Sequence, residues 1–345
     1  MAQTLKFGNK VWAAKEDSVL AYNDINNNYK PLPFDFARAS IGTRVNKDGL
    51  IETMGQDIAR IDYLDSADGV LLLEPSSTNL VTYSEDFSNA SWTITGATIT
   101  SNAAISLDGT LNATKLIENS SNSQHKIQET TNSITAGNVV YSQFVKKGER
   151  NKVLLELGGG GGGFATFNLE LGVVISENNL NATITEFSNN WYRCSVSFTS
   201  TSNSVYLGTY ILDDIGSLSY QGDANGKYIY IWGAQIEGSY PTSYIPTSGS
   251  TVTRAAETCL NSGNSEVFND SEGVLFADIS SGNTVNDNRI YLSDGTDSNR
   301  IFIILDKTQS SINGYVRGAA GYALAITSVG YDTSLNHKVL IKYKS

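Results

Sequence analysis

The sequence predicts an all-β protein: a jelly-roll β-sandwich followed by a second sandwich that stops short of a full set of strands. Three observations predict it. Gly (31) and Tyr (18) are plentiful, Pro numbers only 5, and much of the rest is Ser, Thr and Asn. That mixture suits short strands joined by polar turns. Charged residues are 17%, too few for a helical bundle or coiled coil. Finally, strand signals recur at short intervals between Ser/Asn/Gly turns, with no convincing helical periodicity. The 345 residues suffice for two or three domains with real cores.

Residues 1–35 are polar and weakly patterned. Trp12 to Tyr22 suits a short helix, and Pro31 and Pro33 close the segment. With too little apolar content for its own core, it reads as an attachment segment that packs on something else. Residues 36–80 read as a strand-rich connecting strip. Asn46-Lys47-Asp48-Gly49 turns between Thr43–Val45 and Leu50–Glu52, and Asp68-Gly69 turns between Arg60–Tyr63 and Val70–Glu74, as hairpin signals do. Arg38, Arg44, Arg60 and Arg254 lie beside apolar strands in a chain poor in bases. Glu52, Glu74 and Glu237 are candidate partners that would pin the strip to the sandwich; solvated edge charges are the alternative.

Residues 81–256 carry the jelly roll. Tyr192, Cys194, Val196 and Phe198 share one face of a strand, with Arg193, Ser195 and Ser197 on the other, the pattern of a half-buried antiparallel strand. Val205 to Leu212 and Tyr228 to Ile236 are apolar on both faces, which places them centrally. Val140–Val145 and Val153–Leu157 complete the set. Residues 257–345 start again after a polar joint. Strands are expected at Gly273–Ile279, Arg289–Leu292, Arg300–Leu305, Ile312–Arg317, Tyr322–Thr327 and Lys338–Tyr343.

Composition excludes several functions. Lys and Arg number 24 against 35 Asp and Glu, a net charge of −11, which opposes binding to nucleic acid and to anionic membranes. No apolar run approaches the ~20 residues of a membrane helix. The N-terminal residues show no signal-peptide core, so synthesis in the cytoplasm without export by that route is expected. Cys194 and Cys259 read as ordinary buried thiols, with a single disulfide as the alternative. Only His125 and His337 are present, which removes most zinc sites and most Ser-His-Asp arrangements. Both read as surface residues.

Aromatic rings are the natural sugar-binding surface: a flat ring stacks on a pyranose while Asn, Asp and Gln bind hydroxyls. Trp191 and Tyr192 begin a strand, and Tyr206 and Tyr210 share one face of theirs; these four are the candidate glycan-binding residues, with core packing as the alternative. Tyr228, Tyr230 and Trp232 also share a face, and Trp232 and Trp92 read as core. Glycoside hydrolysis needs two carboxyls across a cleft. Glu156, Glu170, Asp213 and Asp214 are conceivable members, but adjacent Asp residues on a strand point to opposite faces, so no catalytic residue is assigned. No cofactor is expected, calcium being the candidate metal because oxygen ligands abound. Asp213, Asp214 and Asp223 form one weak candidate group, Asp287 and Asp294 another, and turn-forming Asp residues are the alternative. The six glycines Gly158 to Gly163 lack the Lys and Ser/Thr of a phosphate loop and read as a hairpin tip or a close chain approach.

Four stretches resemble a known family: Phe36–Ser40 with Thr43–Asn46 and Gly49–Glu52; Leu71–Pro75 with Thr78–Leu80, Tyr83–Phe87 and Trp92; Trp232–Glu237 with Tyr240–Thr247 and Thr253-Arg254; and, more weakly, Gly273–Phe276 with Ile290–Gly295 and His337–Val339. They are similar to phage virion proteins of the tail-fibre or appendage kind, which carry β-sandwich modules of the carbohydrate-binding and concanavalin A-like lectin type. The resemblance implies that residues 257–345 are a partial lectin-like sandwich. It also implies a structural and adhesive component of a phage particle, made in the host cytoplasm and carried on the virion. Host surface glycans and other virion proteins would be its partners, a homotrimer its assembly, and turnover absent. A polysaccharide-degrading appendage is the alternative, and a carbohydrate-binding module attached to an enzyme is a third reading.

Overall fold

The computed structural model describes residues 12–15, 18–21, 34–131, 134–261, 271–281 and 287–344. Among them there is no α-helix; strands dominate throughout. The chain divides into two compact units, the joint falling between Ser262 and Gly263. Residues 257–261 thus go with the first unit rather than with the second, where the sequence boundary placed them.

Twelve strands build the sandwich of the first unit. They are β1 (Thr93–Thr95), β2 (Ala97–Ile105), β3 (Leu111–Glu118), β4 (His125–Thr131), β5 (Gly137–Lys147) and β6 (Lys152–Gly158), followed by β7 (Gly163–Asn168), β8 (Val173–Asn178), β9 (Asn181–Glu186), β10 (Trp191–Ser200), β11 (Val205–Ile211) and β12 (Tyr228–Gly238). The first sheet runs β2-β3-β12-β5-β10-β9 and the second β8-β7-β6-β11-β4-β1, every pairing antiparallel. Tyr192, Cys194, Val196 and Phe198 point between the sheets with Tyr141, Leu155, Leu207, Ile229 and Ile231, as the period-two reading of β10 predicts. The glycine run is the β6–β7 tip. Gly159, Gly160 and Gly161 have positive φ, and a Cβ on Gly160 would stand 2.6 Å from the Ser202 nitrogen, so the close approach requires glycine.

The outer face of the first sheet is covered by the strip and by the segment after β12. Val45, Ile51, Leu107, Phe144, Phe187, Trp191, Trp232 and Tyr244 form a second apolar core there. This explains why β12 is apolar on both faces: it has a core on each side. An ion network ties the cover down. Arg60 donates to both Glu257 oxygens at 2.7 and 2.5 Å and to Glu74 at 2.8 Å. Arg38 donates to Glu257 at 2.8 Å, and Arg254 stands 3.4 Å from Glu74. Arg193 lies 3.7 Å from Glu237, which accepts from Ser77, Gln235 and Thr242. The Arg38, Arg60 and Glu257 side chains are wholly buried. Burial opposes ionisation of Glu74, but Arg60 and Arg254 overcome it and hold the carboxyl below its ordinary range. Pairing, not edge solvation, is therefore the role of Arg38, Arg60, Arg254, Glu74 and Glu237; Arg44 pairs with Glu52 at 2.5 Å in a more exposed position. The central acid, Glu257, carries no sequence signal.

Trp12–Lys15 and Ser18–Ala21 form a hairpin, not the expected helix. It joins Phe34–Ala37 and Thr258–Leu260 in a four-stranded sheet. A helix of so few residues nucleates poorly, whereas the neighbouring strand offers a ready ladder. Residues 22–33 lie outside the described residues.

The second unit has the strands β13 (Glu272–Ile279), β14 (Asn288–Ser293), β15 (Arg300–Asp306), β16 (Ser311–Gly318), β17 (Gly321–Val329) and β18 (His337–Lys344), matching all six sequence expectations. β14 to β17 form a meander, and β13 pairs with β18. Leu275, Ala277 and Ile341 of that pair pack with Ile303 of the meander.

Candidate functional site

The outer face of the second sheet carries the best candidate. Cross-strand register places side chains on it in rows. One row runs Phe164 (β7), Glu156 (β6), Gly208 (β11), Gln128 (β4) and Thr93 (β1). The next holds Leu154, Tyr210 and Lys126, and the row on the other side holds Gly158, Tyr206 and Thr130. Directly opposed residues share a face, so Tyr206 and Tyr210 flank the Glu156–Gly208–Gln128 row.

Two glycines shape this face. A Cβ on Gly158 would fall 1.9 Å from Tyr206 Cζ, so the ring lies down over bare backbone. A Cβ on Gly208 would fall 2.9 Å from Tyr210 Cε2 and 3.6 Å from Glu156 Oε2. The missing side chains leave a shelf between the two rings with a carboxylate on one side and an amide on the other. Tyr206 is 41% exposed. Tyr210 is buried against Leu154 and Leu212; its hydroxyl donates to Glu156 and accepts from Lys126 Nζ at 3.0 Å. Burial and the Glu156 carboxylate push both tyrosine hydroxyls up, so they stay protonated and polar.

The other two predicted rings are elsewhere. Trp191 is 0% exposed beneath the strip and Tyr192 points into the core between the sheets. Neither presents a face to a ligand at the surface. Both open β10, in a sheet buried on each side, a fact its own sequence does not reveal. Lys126, Gln128 and Phe164 were not singled out by sequence. The alternation of Lys126, Gln128 and Thr130 with Ile127 and Glu129 marks them as one face, but which strands lie alongside is decided by register.

The weak calcium candidates do not converge. Asp213 accepts from the Ile215 and Ser217 amides and closes its own loop. Asp214 pairs with Arg150 at 2.9 Å, and Asp223 accepts from the Asn225 amide. Asp287 pairs with Arg289 at 3.4 Å, and Asp294 accepts from Thr296 and Asn299. Among the described residues no three His, Cys, Asp or Glu side chains gather as a metal site would require. The carboxylates weighed for hydrolysis each have a partner of their own: Glu156 accepts from Tyr210, Glu170 pairs with Lys147, and Asp214 pairs with Arg150.

His125 is not at the surface. It is fully buried, with its ring nitrogens on the Gly96 and Tyr220 carbonyls. Beside it Arg150 makes a bidentate pair with Glu118 at 2.9 and 3.0 Å, and Tyr220 donates to the same carboxylate at 2.6 Å. These groups are mutually satisfied and join the end of β3 and the start of β4 to the Tyr220 loop. His337 donates from Nε2 to the Asp332 carbonyl at 2.7 Å. Cys194 and Cys259 are free thiols, the first buried and the second half-buried.

No family model and no curated protein matches the chain. Among solved structures, a carbohydrate-binding module that recognises mannan is similar at 12% identity, over 48% of this chain and 97% of its own, with a TM-score of 0.26. So slight a likeness carries no argument about ligand; the rows of the second sheet must supply one.

Proposed function

We propose that the chain is a non-catalytic, glycan-binding structural protein whose ligand lies on the outer face of the second sheet. The observation that carries this reading is the exposed Tyr206 ring laid over Gly158 beside the Glu156–Gly208–Gln128 row. A ring lying flat offers its face to the apolar side of a pyranose, and a neighbouring carboxylate and amide accept from and donate to the ring hydroxyls. Glycoside cleavage needs two carboxyls across one sugar, whereas the row carries the single acid Glu156, bound to the Tyr210 hydroxyl; this supports binding without turnover.

We further propose, from the resemblance of the strip and clamp stretches, that the protein belongs to a phage appendage that touches host surface glycans. Arg38, Glu74, Glu237 and Arg254, which carry that resemblance, belong to the clamp and not to the ligand face. The appendage proposal therefore speaks to architecture, and the sugar must be found by experiment. The test is retention of the purified protein on host envelope polysaccharide, with released fragments measured alongside. Retention that is lost in Tyr206→Ala and Glu156→Ala, with no fragments, supports the reading. Fragment release abolished by Glu156→Ala overturns the non-catalytic assignment. Equal retention of wild type and both variants overturns the site.

A further inference from the structure

The β13–β18 pair in the second unit buries one face and exposes the other. Leu275, Ala277 and Ile341 point into the core. The opposite face carries Glu272, Val274, Phe276 and Asp278 from β13 and Lys344, Lys342, Leu340 and Lys338 from β18, opposed in that order. Val274, Phe276 and Leu340 are 51%, 52% and 59% exposed. Three large apolar side chains together on so small a face are a feature that solvent does not favour. The charges around them are segregated: both acids lie on β13 and all three lysines on β18. The intrachain pairs Lys338–Asp278 and Lys344–Glu272 are long, at 4.0 Å, and exposed, so each contributes little.

We propose that this face binds the same face of a second copy about a two-fold axis parallel to the strands. The charge pattern selects the axis. Rotation about an axis along the strands lays β13 of one copy over β18 of the other at the same level. Asp278 then meets Lys338 of the second copy, Glu272 meets its Lys344, and Phe276 meets its Leu340. Every acid faces a base and the apolar centre faces itself, and each contact occurs twice, as an isologous interface requires. A two-fold axis across the strands sets Glu272 on Asp278 and Lys344 on Lys338, which is repulsive at both ends. Eight-residue strands span only about 26 Å, so the contact is smaller than a standard stable interface, and the dimer forms and dissociates with concentration. The dimer doubles the number of sandwich units per particle and does not depend on the ligand reading above.

Sedimentation velocity of the full chain over a wide concentration range tests this. The expected result is a monomer–dimer equilibrium, weakened about tenfold or more by Phe276→Asp. Asp278→Lys and Lys338→Glu should each weaken self-association, and mixing the two should restore it, because every inter-copy contact is then again opposite in sign. Glu272→Lys with Lys344→Glu repeats the test at the other end of the face, and far-ultraviolet circular dichroism of each variant confirms the fold. A monomer at all concentrations, a trimer as the sequence resemblance implies, a dimer insensitive to Phe276→Asp, or no restoration on mixing in either pair overturns the proposal.

Discussion

The two outer faces of the first sandwich are opposites. The face of the first sheet lies under the strip, with Trp191, Trp232, Arg38, Arg60 and Arg254 taken out of water. The face of the second sheet lies open, with Tyr206, Gln128 and Glu156 within reach of solvent. Both are antiparallel sheets from the same chain, yet one became a second core and the other a shelf. The difference comes from chain that is distant in sequence. Val45 and Ile51 of the strip and Tyr244 of the segment after β12 share a core with Phe144, Trp191 and Trp232 of the first sheet. A sheet covered on both faces offers no open face to a ligand, which is why the proposed site lies on the second sheet.

The largest effect expected from breaking this contrast is at Arg60. Arg60→Ala strips the wholly buried Glu257 of two hydrogen bonds and Glu74 of one. Removing one partner of a buried pair costs about 3–5 kcal/mol, so chemical denaturation should show a loss of that order. A loss under about 1 kcal/mol would mean the cover is not held by the clamp.

A middle-sized effect is expected at Glu129, on the inward side of β4. Its Oε2 has no hydrogen-bond partner, and burial pushes its carboxyl up to about 7. The folded protein therefore holds this proton more tightly than the unfolded chain does. The stabilisation is complete below the ordinary carboxylate value of 4.5 and is lost as pH rises through about 7, a decline of about 1–3 kcal/mol. Glu129→Gln should flatten that part of the stability–pH curve. An unchanged slope between pH 5 and 7 in the variant would assign the dependence to other groups.

The smallest stability changes belong to the open face, where the functional changes are largest. Tyr206→Ala should alter stability within about 0.5 kcal/mol, as exposed positions do. Gly158→Ala puts a methyl group where Tyr206 Cζ stands, 1.9 Å away. The ring must swing off its bed, so glycan retention should fall as in Tyr206→Ala while the fold persists. A Gly158→Ala protein that retains glycan like wild type would show that the ring's flat placement is not what binds.

Much of this was legible in the sequence because strands are local. Period two along Tyr192–Phe198 named the core side of β10, and Asn46–Gly49 named the turn of the strip hairpin, where the Asn46 side chain accepts from the Asp48 and Leu50 amides. Tyr206 and Tyr210 could be placed on one face because they are four residues apart on a strand. The Trp12–Tyr22 helix failed because a short segment takes its conformation from the strand that receives it. Trp191 failed because alternation tells which residues share a face, not what covers that face.

By itself, then, the sequence determined the all-β class, the central strands of the sandwich and the six strands of the second unit, the hairpin turns and the shared face of the two candidate tyrosines, since each depends on residues within a few positions of one another. Only the tertiary structure decided that Glu257 lies at the centre of the clamp, that His125 is buried, and that Gly158 and Gly208 sit beside the rings of Tyr206 and Tyr210. Those facts depend on register between strands and on long loop closures, such as the 197 residues that separate Arg60 from Glu257. Closing a loop of that length costs entropy that only the assembled cores can offset, so no local pattern encodes it.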